Sequence, residues 1–332
     1  MRQSFTTQPA LFAGPELLDH PALKALDAVE ALFDWPALEA LMVADGKKPT
    51  GRPGYPAQTL FRALLLGIWY GLSDETLAAQ LARDLLFRKF CRLEIDRGTP
   101  DATTLGRFRA SLEAEERLQA LFEAVKAQLA AKNVIMEAGR VAIVDATVVE
   151  AARTGRRKLA PGESDSRDPE AGAHVKINAR GHLVGTWGYQ FQVNVDEDGF
   201  IHAQVVTPGN AHEIRTWEAL MTGGESELYA DCAYSAQATR ATLADRGIAD
   251  RVQRRGYRNR PLAAAEVGRN KEIGVTRAGV ERIFGHAKRV WGLARTRFLG
   301  LRRNRTHFTL VALAWNVWKG GRFLKLYGLR PA

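Results

Sequence analysis

Cysteine is nearly absent from this chain: two in 332 residues, Cys91 and Cys232. A single pair so far apart builds neither a disulfide framework nor a Cys-x-x-Cys metal site, so both thiols are expected reduced, in a cytoplasmic protein. Long apolar runs are missing as well. The most hydrophobic stretch, Phe308 to Trp318, falls far short of the ~20 residues a spanning helix needs. Met1 to Pro9 lack the charged-then-apolar pattern of a secretory signal, so no membrane partner is expected. There is no Gly-rich phosphate loop, no His-Glu-x-x-His pair and no Gly-x-Ser-x-Gly elbow, which removes the sequence signs of three common catalytic classes. Internal repeats and low-complexity segments are also lacking. Acid, finally, is in deficit: 37 Asp and Glu stand against 47 Lys and Arg, a net charge of +10.

That deficit implies a polyanionic partner, with nucleic acid the leading candidate, because much of the excess lies between Arg251 and Arg305. Basic residues there interleave with Tyr257, Trp291 and Phe298, a pattern suited to phosphate contact. A hydrophobic content of 46% supplies ample cores, and the length suits two or three domains.

The first third reads as helical. Pro21 to Val43 predicts two short helices broken at Pro36, and Gly46 to Tyr55 a linker or arm. Pro56 opens a helix with Leu60, Leu64 and Ile68 in one stripe; Ser73 and Asp101 are N-caps for two more. Arg107 and Arg109 beside Thr103 and Thr104 are compatible with a helix-turn-helix-like DNA-binding unit, as they are with other small bundles. Ala114 to Lys132 is a helix by propensity.

At Gly139 the character changes. Arg140 to Val149 is a β-branched apolar run interrupted by Asp145, hence a buried central strand carrying an acid that needs a cation or metal. Arg153 to His182 predicts a loop, within which Asp168-Pro169-Glu170 could position a ligand but reads first as an exposed turn. Tyr189 to Val195 alternates with Gln190, Gln192 and Asn194, turns at Asp196 to Gly199 and returns as Ile201 to Thr207, a β-hairpin. His212 to Leu220 looks helical, Glu227 to Asp231 is a strand ending in a second acid, Ser235 caps a helix to Arg246, and Ile248 to Gln253 is another strand. The order describes an α/β layer with an antiparallel pair at one edge, where chemistry belongs at the carboxyl ends of strands. Val275 to Lys288 is a helix with Val280, Ile283, Ala287 and Val290 on one stripe and Arg277, Glu281 and Lys288 on another. Alone, the second stripe is also consistent with a solvated salt-bridged surface. Phe308 to Tyr327 closes the chain as an apolar core helix.

Asp145, Asp231 and Glu281 therefore stand out, and three carboxylates beside a basic surface suit two divalent cations clamping a phosphodiester. From about Gly51 to Gly320 the chain resembles the DDE transposases of bacterial insertion sequences, specifically the insertion-sequence-five group of the insertion-sequence-four superfamily. Its most specific match is the Tyr-x2-Arg-x3-Glu-x6-Lys signature, met by Arg277, Glu281 and Lys288, with Gly274 in place of the tyrosine. Val144-Asp145-Ala-Thr147, Ala230-Asp231-Cys-Ala-Tyr234, Gly188 to Asp196, Thr207 to Glu213 and Asp101 to Arg109 are similar pieces. Tyr257 is a candidate replacement for the missing tyrosine.

The resemblance implies an RNase H-like mixed sheet flanked by helices, preceded by an all-helical N-terminal domain. The expected boundaries are an arm at 1–50, a DNA-binding domain at 51–136, the catalytic domain at 137–322 and a tail at 323–332. It also implies that Asp145, Asp231 and Glu281 hold two magnesium ions, with manganese an alternative. Arg277 and Lys288 would contact DNA near the cleaved end, with Arg254, Arg255, Arg107 and Arg109 as further DNA contacts. The implied partner is double-stranded DNA, both inverted-repeat ends and target, gripped by a homodimer in the bacterial cytoplasm. Two rival readings remain: a metal-dependent endonuclease without joining activity, and a non-catalytic DNA-binding repressor derived from a transposase.

Overall fold

The computed structural model describes residues 19–43, 54–113, 117–135, 140–152, 167–177, 181–257 and 259–327. The chain divides into two compact units, 1–135 with 309–332, and 136–308. Most of the arm expected at Gly46 to Tyr55, and the polar N-terminus, lie outside the described residues.

The first unit is helical, and its element starts follow capping chemistry. Asp34 accepts from Ala37 N (3.1 Å) ahead of α2 (Trp35–Met42), which follows α1 (Asp27–Leu32). The break expected at Pro36 therefore falls a turn earlier, at Phe33 and Asp34. Pro36 sits instead in the first turn of α2, where no backbone N–H is required. The next helix, α3 (Ala57–Trp69), is buried on every side rather than along one stripe, and so forms the axis of the unit. Ser73 caps α4 (Asp74–Arg83) through Thr76 N (3.1 Å). Asp84 starts α5 (Leu85–Phe90), a helix the sequence pattern did not announce. Asp101 caps α6 (Ala102–Leu112) through Thr104 N at 2.6 Å, and α7 (Arg117–Ala131) follows. The closing pieces come from the far end of the chain: Trp69 Nε1 donates to Ala314 O (2.9 Å). Gly320 packs so tightly that a Cβ there would come within 2.7 Å of Leu129 and Leu32. Much of the C-terminal helix, which the sequence places with the sheet, thus belongs to the helical unit.

The second unit is built on a mixed sheet. Its strands are β1 (Val141–Glu150), β2 (Gly172–Ile177), β3 (Leu183–Val195), β4 (Ile201–Pro208), β5 (Glu227–Ala230) and β6 (Ala249–Val252). They run β2-β3-β1-β5-β6, with β4 also on β3. β2 pairs with the first part of β3 and β4 with the second, both antiparallel; β1 is antiparallel to β3 but parallel to β5, and β5 is parallel to β6. An antiparallel meander continued by parallel strands is the RNase H-like arrangement the resemblance implies. α8 (Gln237–Asp245) links β5 to β6, while α9 (Ala264–Arg289) and α10 (Leu301–Tyr327) end the chain.

Each face of this sheet has its own cover. Val144, Leu228 and Ala230 pack with Trp217, Leu220, Tyr234 and Leu243 on one side. On the other, Phe191 meets Phe284 of α9 at 6.2 Å between ring centroids and Phe308 of α10 at 5.2 Å.

Several expectations need correction here. Gln190, Gln192 and Asn194, which alternation places on one face, are each no more than 2% exposed, because the segment after β4 covers them. The expected helix from His212 to Leu220 is two 3-10 turns, Glu213–Arg215 and Trp217–Leu220. α8 begins after Ala236 without a side-chain cap, so Ser235 does not cap it. Within the expected loop, 153–166 and 178–180 lie outside the described residues, but β2 is a strand made regular by its pairing with β3. Asp168 is no exposed turn residue. It is 1% exposed, accepts from Tyr189 Oη (2.6 Å) and Gly300 N (3.1 Å), and sits beside Glu170, which takes Leu301 N at 3.0 Å. Together they cap the start of α10, whose C-terminal cation end is the complementary pole. Both cysteines are free thiols, Cys91 buried and Cys232 half-buried.

Candidate active site

The site begins with a gap between two parallel strands. β1 pairs with β5 only over Val141 to Ile143, then runs on to Glu150, where backbone bonds to Ala294 O (3.0 Å) and from Thr296 N (2.8 Å) close its edge again. Between those points β1 changes from buried to half-buried, from Asp145 to Val148. β5 ends at Ala230, so Asp231 emerges beside the opening. Parallel strands that part at their carboxyl ends leave a crevice, and here both strands deliver an aspartate to it.

α9 supplies the third side. Its buried residues are Ile273, Arg277, Val280, Ile283, Phe284 and Ala287: the spacing predicts Val280, Ile283 and Ala287, but Arg277, expected on the second stripe, is buried as well, and Val290, at the C-cap, is 54% exposed. The helix is anchored to the end of β6. Arg269 donates to Val252 O (2.8 Å) and Asp250 O (2.6 Å), and Asn270 exchanges hydrogen bonds with the Arg254 backbone. That anchorage sends the Arg277 side chain to Asp145, with 3.1 Å between Nη2 and Oδ1, while Gln253 Oε1 accepts from Arg277 Nη1 at 3.1 Å. The pairing of Arg277 with Glu281 along the helix surface is therefore not what forms. Glu281 is exposed, and Lys288 donates to Val148 O (2.8 Å), satisfying a carbonyl of the open β1 edge.

Electrostatics binds these groups into one centre. Burial pushes the Asp145 carboxyl up to about 6; Arg277 and the Ala146 N–H oppose it, and the charges of Asp231 and Glu281 add to it. Glu213, on the 3-10 turn after β4, is pushed up to about 7 by burial and then by Asp231 and Asp145, with Tyr234 and Arg277 opposing. Tyr234 is fully buried; burial, then the charges of Glu213, Asp145 and Asp231, hold its phenol far above the usual range. Its hydroxyl faces Glu213 yet closes no normal hydrogen bond. The phenol among the carboxylates is thus Tyr234, while Tyr257 is 64% exposed with its backbone bridged to Arg260. A Cβ on Gly274 would meet only Gln253 Nε2, at 3.7 Å, so no steric demand keeps glycine there.

The remaining cations have varied surroundings. Arg254 pairs with Asp250 (2.8 Å) and Arg109 forms a two-bonded pair with Asp74 (2.6 and 2.8 Å), while Arg107 and Arg255 are exposed. Burial, then the charge of Lys176, holds the Lys288 ammonium below the ordinary lysine range. Sequence reasoning did not single out Glu213 or Tyr234, whose titration is perturbed by the charges of Asp145 and Asp231. Both lie inside segments singled out for their resemblance, at the ends of Thr207 to Glu213 and Ala230 to Tyr234.

An oxygen-only donor set of this kind suits a hard divalent cation. In the arrangement seen here, no three acidic, imidazole or thiol side chains among the described residues close on one point, and Arg277 faces Asp145 in place of a further acid. Loading a cation on Asp145 therefore means displacing that guanidinium. Among the described residues no helix is long and apolar enough to cross a membrane.

Comparison with known proteins was made against this geometry. A chain of the cryo-EM structure of the piggyBac transposase synaptic complex with hairpin DNA is similar at 9% identity, with 93% of this chain and 76% of that chain covered and a TM-score of 0.43. A chain of the crystal structure of a pre-cleavage Mos1 transpososome is similar at 13% identity, 87% and 84% coverage and a TM-score of 0.25. A family model described as Transposase domain (DUF772) matches residues 18–111, most of the helical unit before α7. The model described as Transposase DDE domain matches residues 137–317, which holds the sheet, both aspartates and the whole of α9, and with more than half its length so matched the chain belongs to the transposase DDE domain family.

Proposed function

We propose that the protein is a transposase that binds the terminal inverted repeats of an insertion sequence and catalyses metal-dependent DNA strand cleavage and strand transfer. One observation carries the reading: Asp145, buried in a strand where the flanking sheet opens, shares its surroundings with Asp231 and Glu281 and has a single guanidinium to balance them. Two magnesium or manganese ions held by Asp145, Asp231 and Glu281 would supply an activated water and charge stabilisation at the scissile phosphate.

The chain's own groups do the rest. Asp145 is placed by β1 and Asp231 by the end of β5, so their separation is set by backbone pairing rather than by flexible loops. Arg277, released from Asp145, is on the spot to take a phosphate oxygen in a two-bonded contact. Lys288 sits half-buried at the edge of β1, where its ammonium donates to Val148 O. Arg254, Arg255, Arg107 and Arg109 extend the cationic surface for inverted-repeat and target duplexes, bound by a homodimer. The test uses pre-cut and uncut repeat-end duplexes with the purified protein. Asp231→Ala is expected to bind the ends and neither cut nor join; retained magnesium-dependent cleavage would overturn the assignment, and cutting without joining of pre-cut ends by the unaltered protein would favour a simple endonuclease.

A further inference from the structure

We propose that the ribbon formed by β2 and the first part of β3 is an arm that grips duplex DNA beyond the crevice, an inference that rests on the nucleic-acid reading above. The ribbon projects from the sheet. The last β1–β3 pair is Glu150 with Gly188, and Ala151 N donates to Trp187 O (2.9 Å). Farther out, Leu183 to Thr186 pair with His174 to Ile177 alone among the described residues. Four residue pairs at ~3.3 Å each extend roughly 13 Å. They leave the sheet past the carboxyl end of β1, the end at which β1 and β5 part.

The root holds this projection still. Gly172, Gly188 and Gly209 pack so closely that a Cβ on them would overlap Asn210, Val149 O and Gly172 O respectively. Just before β2, Asp168 accepts from Tyr189 Oη of β3 and from Gly300 N, and Glu170 accepts from Leu301 N, so the root is fastened to the start of α10. The next two residues of that helix, Arg302 and Arg303, are exposed at the foot of the ribbon.

The outer part shows two different faces. Val175 and Leu183, diagonal neighbours on one face, are 58% and 74% exposed, and Lys176 is exposed on the other. A two-stranded ribbon that presents aliphatic side chains to water is marginal by itself, and a rigid root holds it ready for a partner. Charge selects that partner. In a chain with 37 acids, none lies between Glu170 and Asp196, an interval that contains Lys176 and Arg180. Two copies of such a ribbon would repel each other. A two-stranded β-ribbon fits the major groove of a duplex, with aliphatic groups against base methyls and cations on phosphates. A duplex laid across the carboxyl ends of β5 and β1 meets the ribbon on its way.

The test uses the full-length protein, a repeat-end duplex and an unrelated duplex of the same length. Lys176→Ala is expected to weaken binding roughly fivefold at about 0.1 M salt and to lower the salt slope by about one. Leu183→Ser combined with Val175→Ser is expected to weaken binding by roughly fivefold with the slope unchanged. Both proteins should melt as the unaltered one does, because the replaced side chains are exposed. In hydroxyl-radical footprints the variants should lose protection at one outer end of the duplex and keep it over the scissile position. Unchanged affinity, slope and footprint in both variants would overturn the arm while the nucleic-acid reading stands. Loss of a DNA-free dimer in sedimentation, with the footprint of each protomer intact, would overturn it in favour of an interface between copies. If the unaltered protein binds neither duplex, both readings fall.

Discussion

Each unit of this protein buries charge, and the two do so in opposite ways. In the helical unit Arg62, 1% exposed, bonds Glu30 through both terminal nitrogens, donates to Phe90 O (2.7 Å) and stacks 3.9 Å over the Trp35 ring. Arg92 reaches the same Glu30. Burial works against the Glu30 charge, but the bonds and charges of Arg62 and Arg92 outweigh it and hold the carboxyl below its ordinary range. In the sheet unit the carboxylates outnumber their cation, and both Asp145 and Glu213 are pushed up. Burying an ion is costly in either place. Where the chain supplies the counter-charge, the carboxyl is held low; where it supplies too little, the carboxyls are pushed up.

The largest test of that contrast is chemical. Asp145→Asn is expected to lower strand cleavage by on the order of 10³-fold or more, as removal of a central catalytic group does. The same variant should leave the metal-free melting temperature unchanged or raised. A matching loss of fold stability would show that Asp145 is a structural ion like Glu30.

Arg62→Ala is expected to act the other way, destabilising the helical unit by about 3–5 kcal/mol, as breaking a buried pair does, with a melting temperature lower by several degrees. A negligible change would mean that Arg92 alone balances Glu30.

A third test uses pH. Glu30, depressed in the folded protein, contributes stability above its unfolded value that is lost as pH falls through and below it. Asp145 has the reverse sign: with a folded value of about 6 above the ordinary 3.8, it subtracts stability progressively as pH rises from about 4 to about 6. Two units correspond to up to about 3 kcal/mol. Metal-free unfolding followed from pH 4 to 8 should therefore steepen in its neutral-side decline for the unaltered protein and flatten in Asp145→Asn, and saturating magnesium should remove the difference between them. Identical profiles would break the comparison.

The smallest effect expected is at Gly274. A Cβ there meets ordinary contact distances within α9, so Gly274→Ala should stabilise by roughly 0.5–1 kcal/mol. Destabilisation would mean that the helix needs a bare backbone beside Gln253.

Much of this was legible from sequence, for reasons that are local. Ser73 and Asp101 cap helices because an oxygen placed before an apolar run has an orphan N–H to meet, whatever the tertiary context. The β1 run and the β3–β4 hairpin follow from alternation and a turn of Asp-Glu-Asp-Gly. What was hidden depends on what lies on top. Alternation shows that Gln190, Gln192 and Asn194 share a face, but not that another segment covers it. Pro36 reads as a breaker unless Asp34 is known to start the helix. At the site, strand ends exposed Asp145 and Asp231, whereas Glu213 looked like an acid in the first turn of a helix, a position acids favour for ordinary reasons. The structure shows instead a 3-10 turn fastened through Thr216 to the polar row of β3.

The C-terminal helix has a consequence for how the molecule comes into being. Its first turn is capped by Asp168 and Glu170 in the sheet unit, and from Thr309 onward it completes the core begun by α1 to α7. A ribosome releases the amino-terminal helices first, at about 5–20 residues per second, yet their hydrophobic centre has no final partner until the last few dozen residues emerge. The helical half, begun first, is thus finished last, and a chain cut short before Thr309 leaves that core without its closing helix.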